Sequence, residues 1–159
     1  MPIFYLDASA IAKLYLPGEQ GVAFMVDLLS SRSPDDILVT SALCFVEVKS
    51  AISRRISNLS DKSALLEAYD RDAREIFDSV DVHNELIVEA GAVVEKHRLR
   101  AADAIHLATA LSLAATAASQ VFMVSADTEL LQASEAAGIE ALDPQTDEAL
   151  GVLRQIRQQ

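Results

Sequence analysis

Short apolar runs alternate along this chain with longer segments in which apolar residues recur at helical spacing. A short apolar run bounded by polar or turn-forming residues is typical of a buried strand. We therefore predict strands at residues 3–6, 37–40, 80–83, 121–124 and 139–142. Residues 80–83 read VDVH and are the most polar of the five, so the sheet has four or five strands.

The segments between these runs have the spacing of apolar residues that predicts helices. Ser9 is a plausible N-cap of the first helix, and Pro17 and Gly18 supply its end. The sixth segment, which is Ala-rich and begins at residue 102, is apolar on nearly all sides, and this favours a packed central helix. The predicted helices span residues 9–15, 21–31, 41–55, 60–79, 85–97, 102–117, 128–137 and 147–157.

Strands that alternate with helices predict an α/β fold, because parallel strands need crossover connections. We expect one domain over residues 1–159, with a mostly parallel sheet of four to five strands sandwiched between helices. The stripe formed by Leu150, Leu153 and Ile156 offers apolar surface beyond what one small core needs. We therefore expect a homodimer that covers it.

Composition narrows the class of protein further. The single cysteine, Cys44, has apolar neighbours and predicts a buried, reduced thiol. The start of the chain lacks the pattern of a signal peptide, and the most apolar run, residues 101–118, is too short to span a bilayer. We expect a cytoplasmic protein with no membrane partner. The formal net charge of −11 argues against general binding to polyanions.

Four acidic residues from distant segments are placed to meet. Asp7 and Asp127 follow predicted strands, Glu47 lies in the first turns of the helix after the second strand, and Asp103 opens the Ala-rich helix. The carboxyl ends of parallel strands share one edge of the sheet, where open α/β folds bind their ligands. Clustered carboxylates repel unless a cation holds them, and Mg²⁺ takes oxygen ligands in this way.

Each of these acids also has an ordinary structural interpretation. Asp103 and Asp127 stand at helix starts, where capping and the helix dipole favour Asp, and Glu47 could form a surface pair with Arg54. His106, one turn after Asp103, is expected to be a packed and hydrogen-bonded histidine rather than a metal ligand. The specificity of the signal comes from the whole set of acids.

The chain resembles the PIN domain family, and in particular the VapC type of ribonuclease toxin from prokaryotic toxin–antitoxin pairs. The matching segments are residues 5–10 (YLDASA), 46–48 (VEV), 100–109 (RAADAIHLAT) and 124–131 (VSADTELL), in the order and spacing of the family. The resemblance carries the acidic quartet of the family onto Asp7, Glu47, Asp103 and Asp127, and its small polar residues onto Ser9 and Ser125.

The resemblance implies a ribonuclease that depends on Mg²⁺ or Mn²⁺, cleaves single-stranded RNA, forms a homodimer and is inhibited by a small cognate antitoxin protein. Basic residues near the predicted site could position RNA phosphates, and Lys49 and Arg54 are the preferred candidates among Lys13, Lys49, Arg54, Arg98 and Arg100.

Two other functions are weighed against this one. A phosphoacceptor signalling domain needs an acidic pair after the first strand and a lysine after the last, and residues 6–8 and 142–144 supply neither. A non-catalytic PIN-like module that binds RNA or protein remains the alternative. Metal binding without turnover would favour that module, whereas the complete quartet favours an enzyme.

Overall fold

A five-stranded parallel sheet runs through the centre of the protein, with strand order β3-β2-β1-β4-β5 in the computed structural model, which describes residues 1–158. The strands are β1 (Ile3–Leu6), β2 (Ile37–Ser41), β3 (Asp78–Val80), β4 (Val121–Val124) and β5 (Glu140–Leu142). The helices are α1 (Ala8–Ala12), α2 (Val22–Ser30), α3 (Ala42–Arg55), α4 (Leu59–Glu75), α5 (Asn84–His97), α6 (Ala101–Thr116), α7 (Thr128–Ala136) and α8 (Asp147–Ile156). The predicted α/β class and parallel sheet are confirmed.

The two faces of the sheet carry two separate apolar clusters. Alternate residues of β1 point to opposite faces, so Phe4 and Leu6 pack with α1, α2, α3, α4 and α8. Ile3 and Tyr5 pack on the other face with α5, α6 and α7. Because α3 and α6 lie on opposite faces, their side chains can meet only beyond an edge of the sheet.

The third strand lies earlier in the chain than predicted. Residues 80–83 were expected to form it, but β3 is Asp78–Val80 and pairs with β2 from Val39 onward. His83 is instead the N-cap of α5, where its Nδ1 accepts a hydrogen bond from the backbone N–H of Leu86. The helix predicted for residues 60–79 correspondingly ends at Glu75, because the next residues are drawn into the edge of the sheet.

The N-cap assigned to Ser9 is wrong. Asp7 caps α1, with extended backbone and a carboxylate that accepts from the N–H of Ala10. The helix begins at Ala8 and is shorter than predicted, since regular helix ends at Ala12 and residues 13–15 continue as turns. Asp7, a candidate functional residue, therefore also caps the N-terminus of the helix that follows it.

The C-terminal helix packs against the core instead of presenting an apolar stripe to solvent. Leu153 is fully buried, and Leu150 and Ile156 pack against the same apolar cluster. The surface argument for a homodimer from these three residues is therefore wrong. The expected burial of the Cys44 thiol is confirmed. Within residues 1–158, no helix combines the length and apolar character needed to cross a membrane.

One buried ion pair ties α8 to the loop before β2. The Arg157 guanidinium donates from Nε and Nη2 to Oδ2 of Asp36, at 3.0 and 2.8 Å. Two further N–H groups, one on Nη1 and one on Nη2, donate to the backbone carbonyls of Asp27 and Leu28 at the end of α2. Asp36 is only 2% exposed, so the arginine neutralises a carboxylate that is removed from water.

Candidate metal-binding carboxylate site

The carboxylates of Asp7, Glu47, Asp103 and Asp127 are gathered at the carboxyl edge of the sheet. Asp7 directly follows β1, and Asp127 caps the helix after β4, the neighbour of β1 in the sheet. Asp103 reaches this edge from the first turn of α6, and Glu47 reaches it from α3. All four site acids predicted from the sequence therefore lie in one region, although they come from four elements.

Asp7 is the most deeply placed of the four acids, with only 4% of its surface exposed. Its Oδ1 accepts from the Ala10 N–H at 2.9 Å, and its Oδ2 accepts from the Ser125 hydroxyl at 2.8 Å. The Ser9 hydroxyl lies 2.8 Å from both oxygens. Burial raises the pKa of Asp7 above its ordinary value, while His106 and these hydrogen bonds oppose the rise.

Ser9 and Ser125 connect the start of α1 to the loop after β4. The Ser9 hydroxyl oxygen accepts from the Ala126 N–H at 2.8 Å, and that of Ser125 accepts from the Asp127 N–H at 3.0 Å. Both hydroxyls also donate to Asp7. The two serines thus fix the orientation of the Asp7 carboxylate and the path of the loop that carries Asp127.

The capping interpretation is correct for Asp127 and wrong for Asp103. Oδ1 of Asp127 accepts from the N–H groups of Glu129 and Leu130, which leaves Oδ2 free of the cap. Asp103 lies in the first turn of α6, but the N-cap position belongs to Arg100. Capping therefore accounts for one oxygen of Asp127. The first-turn position of Asp103 is favoured by the helix dipole and not by a cap.

A guanidinium group lies between these two acids. Nη2 of Arg100 is 3.7 Å from Oδ2 of Asp127, and Nε is 3.8 Å from Oδ2 of Asp103. The Arg100 side chain is 76% exposed, and both contacts are long, so solvent screens the pairs and the arginine can leave. The carboxylates are thus placed to share a cation, and a displaceable one already stands there.

The carboxylates interact electrostatically. Burial raises the pKa of Asp103, the charges of Asp127 and Asp7 raise it further, and Arg100 opposes the rise. Each nearby negative charge disfavours ionisation of the next, so the ionised cluster destabilises the fold in the absence of a cation.

Glu47 is oriented by a buried histidine instead of pairing with Arg54. Its Oε2 accepts from Nε2 of His106 at 2.7 Å, and Nδ1 of His106 lies 2.8 Å from the Tyr5 hydroxyl. Burial lowers the pKa of His106, but the Glu47 and Asp7 carboxylates outweigh burial and raise it. The prediction of a packed, hydrogen-bonded His106 is confirmed. Tyr5 was not predicted as a site residue; the signal for it is its position two residues before Asp7, on the face of β1 that packs against α6.

The donor set fits a hard divalent cation, although the side chains are not yet arranged around one. As they stand, no three His, Cys, Asp or Glu side chains of residues 1–158 are arranged to hold a metal ion. The Arg100 guanidinium lies between Asp103 and Asp127, where a cation would lie. His106 contacts only Oε2 of Glu47, so Oε1 is left for a metal ion. Carboxylate oxygens are the preferred ligands of Mg²⁺ and Mn²⁺, and the Arg100 guanidinium already shows that the cluster attracts positive charge.

The two basic residues preferred from the sequence lie in different environments. Lys49 forms a 2.7 Å ion pair with Asp70 on α4 and lies over the Phe45 ring. Arg54 is exposed on the same helix as Glu47, seven residues or about 10 Å further along its axis. Arg54 is the freer of the two, whereas Arg100 lies nearest the carboxylates.

Replacing Asp103 by Asn is expected to stabilise the protein in chelator at pH 7 by about 1 kcal/mol, or roughly 2–4 °C in Tm. The folded-state pKa of Asp103 is raised, so its ionised form costs stability above that pKa. This gain in stability should shrink as the pH falls through the raised pKa of Asp103 toward the ordinary Asp value of about 4, because Asp103 of wild type then becomes protonated. Thermal unfolding in chelator across pH measures both effects.

Glu67→Gln is the matched control, because it removes one negative charge from an exposed position on α4. This variant should change Tm by much less than Asp103→Asn. Equal shifts in the two variants would mean that overall charge, and not the carboxylate cluster, sets the effect.

Comparison with known proteins identifies the family. The PIN domain profile matches residues 4–136. Ribonuclease VapC45 of Mycobacterium tuberculosis (strain CDC 1551 / Oshkosh) is 32% identical over 116 residues, which cover 71% of this chain and 78% of that protein.

Solved structures share the fold. The crystal structure of Mycobacterium tuberculosis VapC20, a sarcin–ricin loop cleaving toxin, matches with a TM-score of 0.64 and 20% identity, covering 86% of this chain and 95% of that one. A toxin–antitoxin complex from Klebsiella pneumoniae matches with a TM-score of 0.58 and 18% identity, covering 88% of this chain and 96% of that one. From the matched profile, the related ribonuclease and the shared architecture, this chain belongs to the PIN domain family.

Proposed function

We propose that this protein is a divalent-metal-dependent endoribonuclease that cleaves single-stranded RNA and serves as the toxin of a toxin–antitoxin pair. The observation that carries the proposal is the convergence of Asp7, Glu47, Asp103 and Asp127 at one edge of the sheet, with the Arg100 guanidinium between two of them. The related VapC ribonuclease supports the same reaction.

The four acids would hold the metal, Mg²⁺ or Mn²⁺. When bound, the cation supplies positive charge that neutralises a phosphodiester and lowers the pKa of a neighbouring water. Asp7 is the fixed member, because hydrogen bonds hold both of its oxygens. Asp127 offers Oδ2 while its other oxygen caps α7, and Asp103 has a raised pKa that a cation would lower.

Basic side chains near the site would bind the RNA backbone. Arg100 neutralises Asp103 and Asp127, and a cation bound between those acids would release its guanidinium to contact a phosphate. Arg54 is exposed along α3 and suits a second phosphate contact. Lys49 would have to leave Asp70 to serve the same purpose.

An antitoxin partner is part of the proposal. Structures that share this fold include a toxin–antitoxin complex, and a protein of net charge −11 presents an acidic site that attracts cationic side chains. An arginine from the antitoxin could replace Arg100 between the carboxylates with bidentate contacts. A homodimer and a single domain over residues 1–159 remain predictions.

Purified protein should cleave single-stranded RNA in Mg²⁺ or Mn²⁺ and stop in excess chelator. Single-stranded DNA of the same sequence and duplex RNA serve as the matched substrates, and neither should be cut at a comparable rate. Metal binding without any RNA turnover would instead identify a non-catalytic PIN-like module. Co-expression of a cognate antitoxin should suppress both cleavage and growth inhibition by this chain.

A further inference from the structure

A buried chain of hydrogen bonds runs from the sheet to one of the four acids. The Tyr5 hydroxyl on β1 lies 2.8 Å from Nδ1 of His106 on α6, and Nε2 of His106 lies 2.7 Å from Oε2 of Glu47 on α3. We propose that Tyr5 and His106 are positioning residues that fix the Glu47 carboxylate for metal binding. This inference rests on the proposed function of the carboxylate site.

The buried imidazole is held at both of its nitrogens. A carboxylate only accepts, so the Nε2–H of His106 donates to Glu47. On the other side of the ring, the Tyr5 hydroxyl lies 2.8 Å from Nδ1, and both groups are buried. The Tyr5 contact therefore fixes the ring orientation that aims Nε2 at Glu47.

Burial separates this role from direct catalysis. His106 is 2% exposed and Tyr5 is fully buried, so neither can touch a bound RNA. Glu47 keeps 27% of its side chain exposed and reaches the site. Glu47 is on α3, whereas His106 and Asp103 are both on α6, and these helices lie on opposite faces of the sheet. The hydrogen bond from His106 therefore fixes the position of the Glu47 carboxylate relative to Asp103.

A residue that orients a metal ligand typically changes metal affinity by roughly tenfold to a hundredfold when it is replaced. A residue that only fills the core changes stability and leaves metal affinity alone. Direct binding of Mn²⁺, followed by electron paramagnetic resonance in the absence of RNA, therefore separates the two roles.

Three variants of the full chain make the test. His106→Asn places its amide near the position of Nδ1 and cannot reach Glu47, so Mn²⁺ should bind roughly tenfold to a hundredfold more weakly. His106→Gln places an amide N–H near the position of Nε2, so it should retain most of the affinity. Tyr5→Phe keeps the ring and the packing but removes the hydroxyl, and it should weaken binding by a few-fold.

A double-variant cycle checks that His106 acts through Glu47. In a Glu47→Gln background, His106→Asn should cause little further loss of Mn²⁺ affinity, because the group that it orients is already altered. Full additivity would overturn the proposal. Wild-type affinity in folded His106→Asn protein, or in folded Tyr5→Phe protein if the first variant does not fold, would also overturn it.

The proposed nuclease function and this inference can fail separately. Unaltered Mn²⁺ binding in His106→Asn and Tyr5→Phe, with metal-dependent RNA cleavage by wild type, would remove only the positioning role. Mn²⁺ binding that depends on both Glu47 and His106, without any RNA cleavage, would remove the nuclease function and leave the positioning role intact.

Discussion

Replacing Asp7 by Asn is expected to reduce RNA cleavage by at least about a hundredfold while the protein stays folded. Asp7 is the fixed member of the carboxylate site, and an amide of the same shape cannot supply the negative charge that a divalent cation needs. The remaining amide oxygen can still accept from the Ala10 N–H, and the hydroxyls of Ser9 and Ser125 can turn to accept from the new NH₂ group. Initial rates at saturating Mn²⁺, with circular dichroism of each sample, measure the effect.

Asp143→Asn provides the matched control at the same edge of the sheet. Asp143 directly follows β5, and its Oδ1 accepts from the Gln145 N–H, so it resembles Asp7 in local structure. It does not belong to the four-carboxylate site, and its replacement should leave the cleavage rate within about twofold of wild type, since no transition-state interaction is removed. Undiminished cleavage by folded, contaminant-free Asp7→Asn protein would remove Asp7 from the site.

Replacing Arg157 by Ala is expected to lower the free energy of unfolding by about 3 kcal/mol or more. The truncation leaves Asp36 with its charge buried and without the guanidinium that donates two hydrogen bonds to it. It also removes the N–H groups that donate to the carbonyls of Asp27 and Leu28, and these hydrogen bonds hold the end of α8 against α2. Urea denaturation followed by circular dichroism measures the loss.

Arg154→Ala controls for loss of an arginine from the same helix. Arg154 is 64% exposed and lies 4.0 Å from Asp27, so this surface pair should contribute less than about 1 kcal/mol. If Arg157→Ala and Arg154→Ala unfold at the same urea concentration, the buried pair with Asp36 does not hold α8 in place.

The strands that carry Asp7 and the loop to Asp127 were predicted well from the sequence, because strands follow from the local periodicity of apolar residues. Strand β1 ends at Leu6 and β4 ends at Val124, so parallel pairing alone brings Asp7 and the loop to Asp127 together. The edge strand was less predictable, since β3 has three residues and is fixed by pairing with β2 rather than by an apolar run.

Contacts between distant helices were the part that the sequence could not provide. The Glu47–His106 hydrogen bond joins residues 59 positions apart on helices that pack against opposite faces of the sheet. Its alternative, the pair with Arg54, joins residues seven positions apart on one helix, so the two side chains start about 10 Å apart along the axis and lie outside the three- or four-residue spacing of a helical ion pair. Likewise, nothing in the residues around Lys49 reveals that its ammonium pairs with Asp70.

The central claim is that the four carboxylates form one metal site and that this site cleaves RNA. The most direct measurement titrates Mn²⁺ into chelator-treated protein and follows bound Mn²⁺ by electron paramagnetic resonance and RNA cleavage in the same samples. We expect both curves to share one midpoint, and both midpoints to rise at least about tenfold in Asp103→Asn. Cleavage that proceeds without bound Mn²⁺, or a binding midpoint that Asp103→Asn does not change, would contradict the claim.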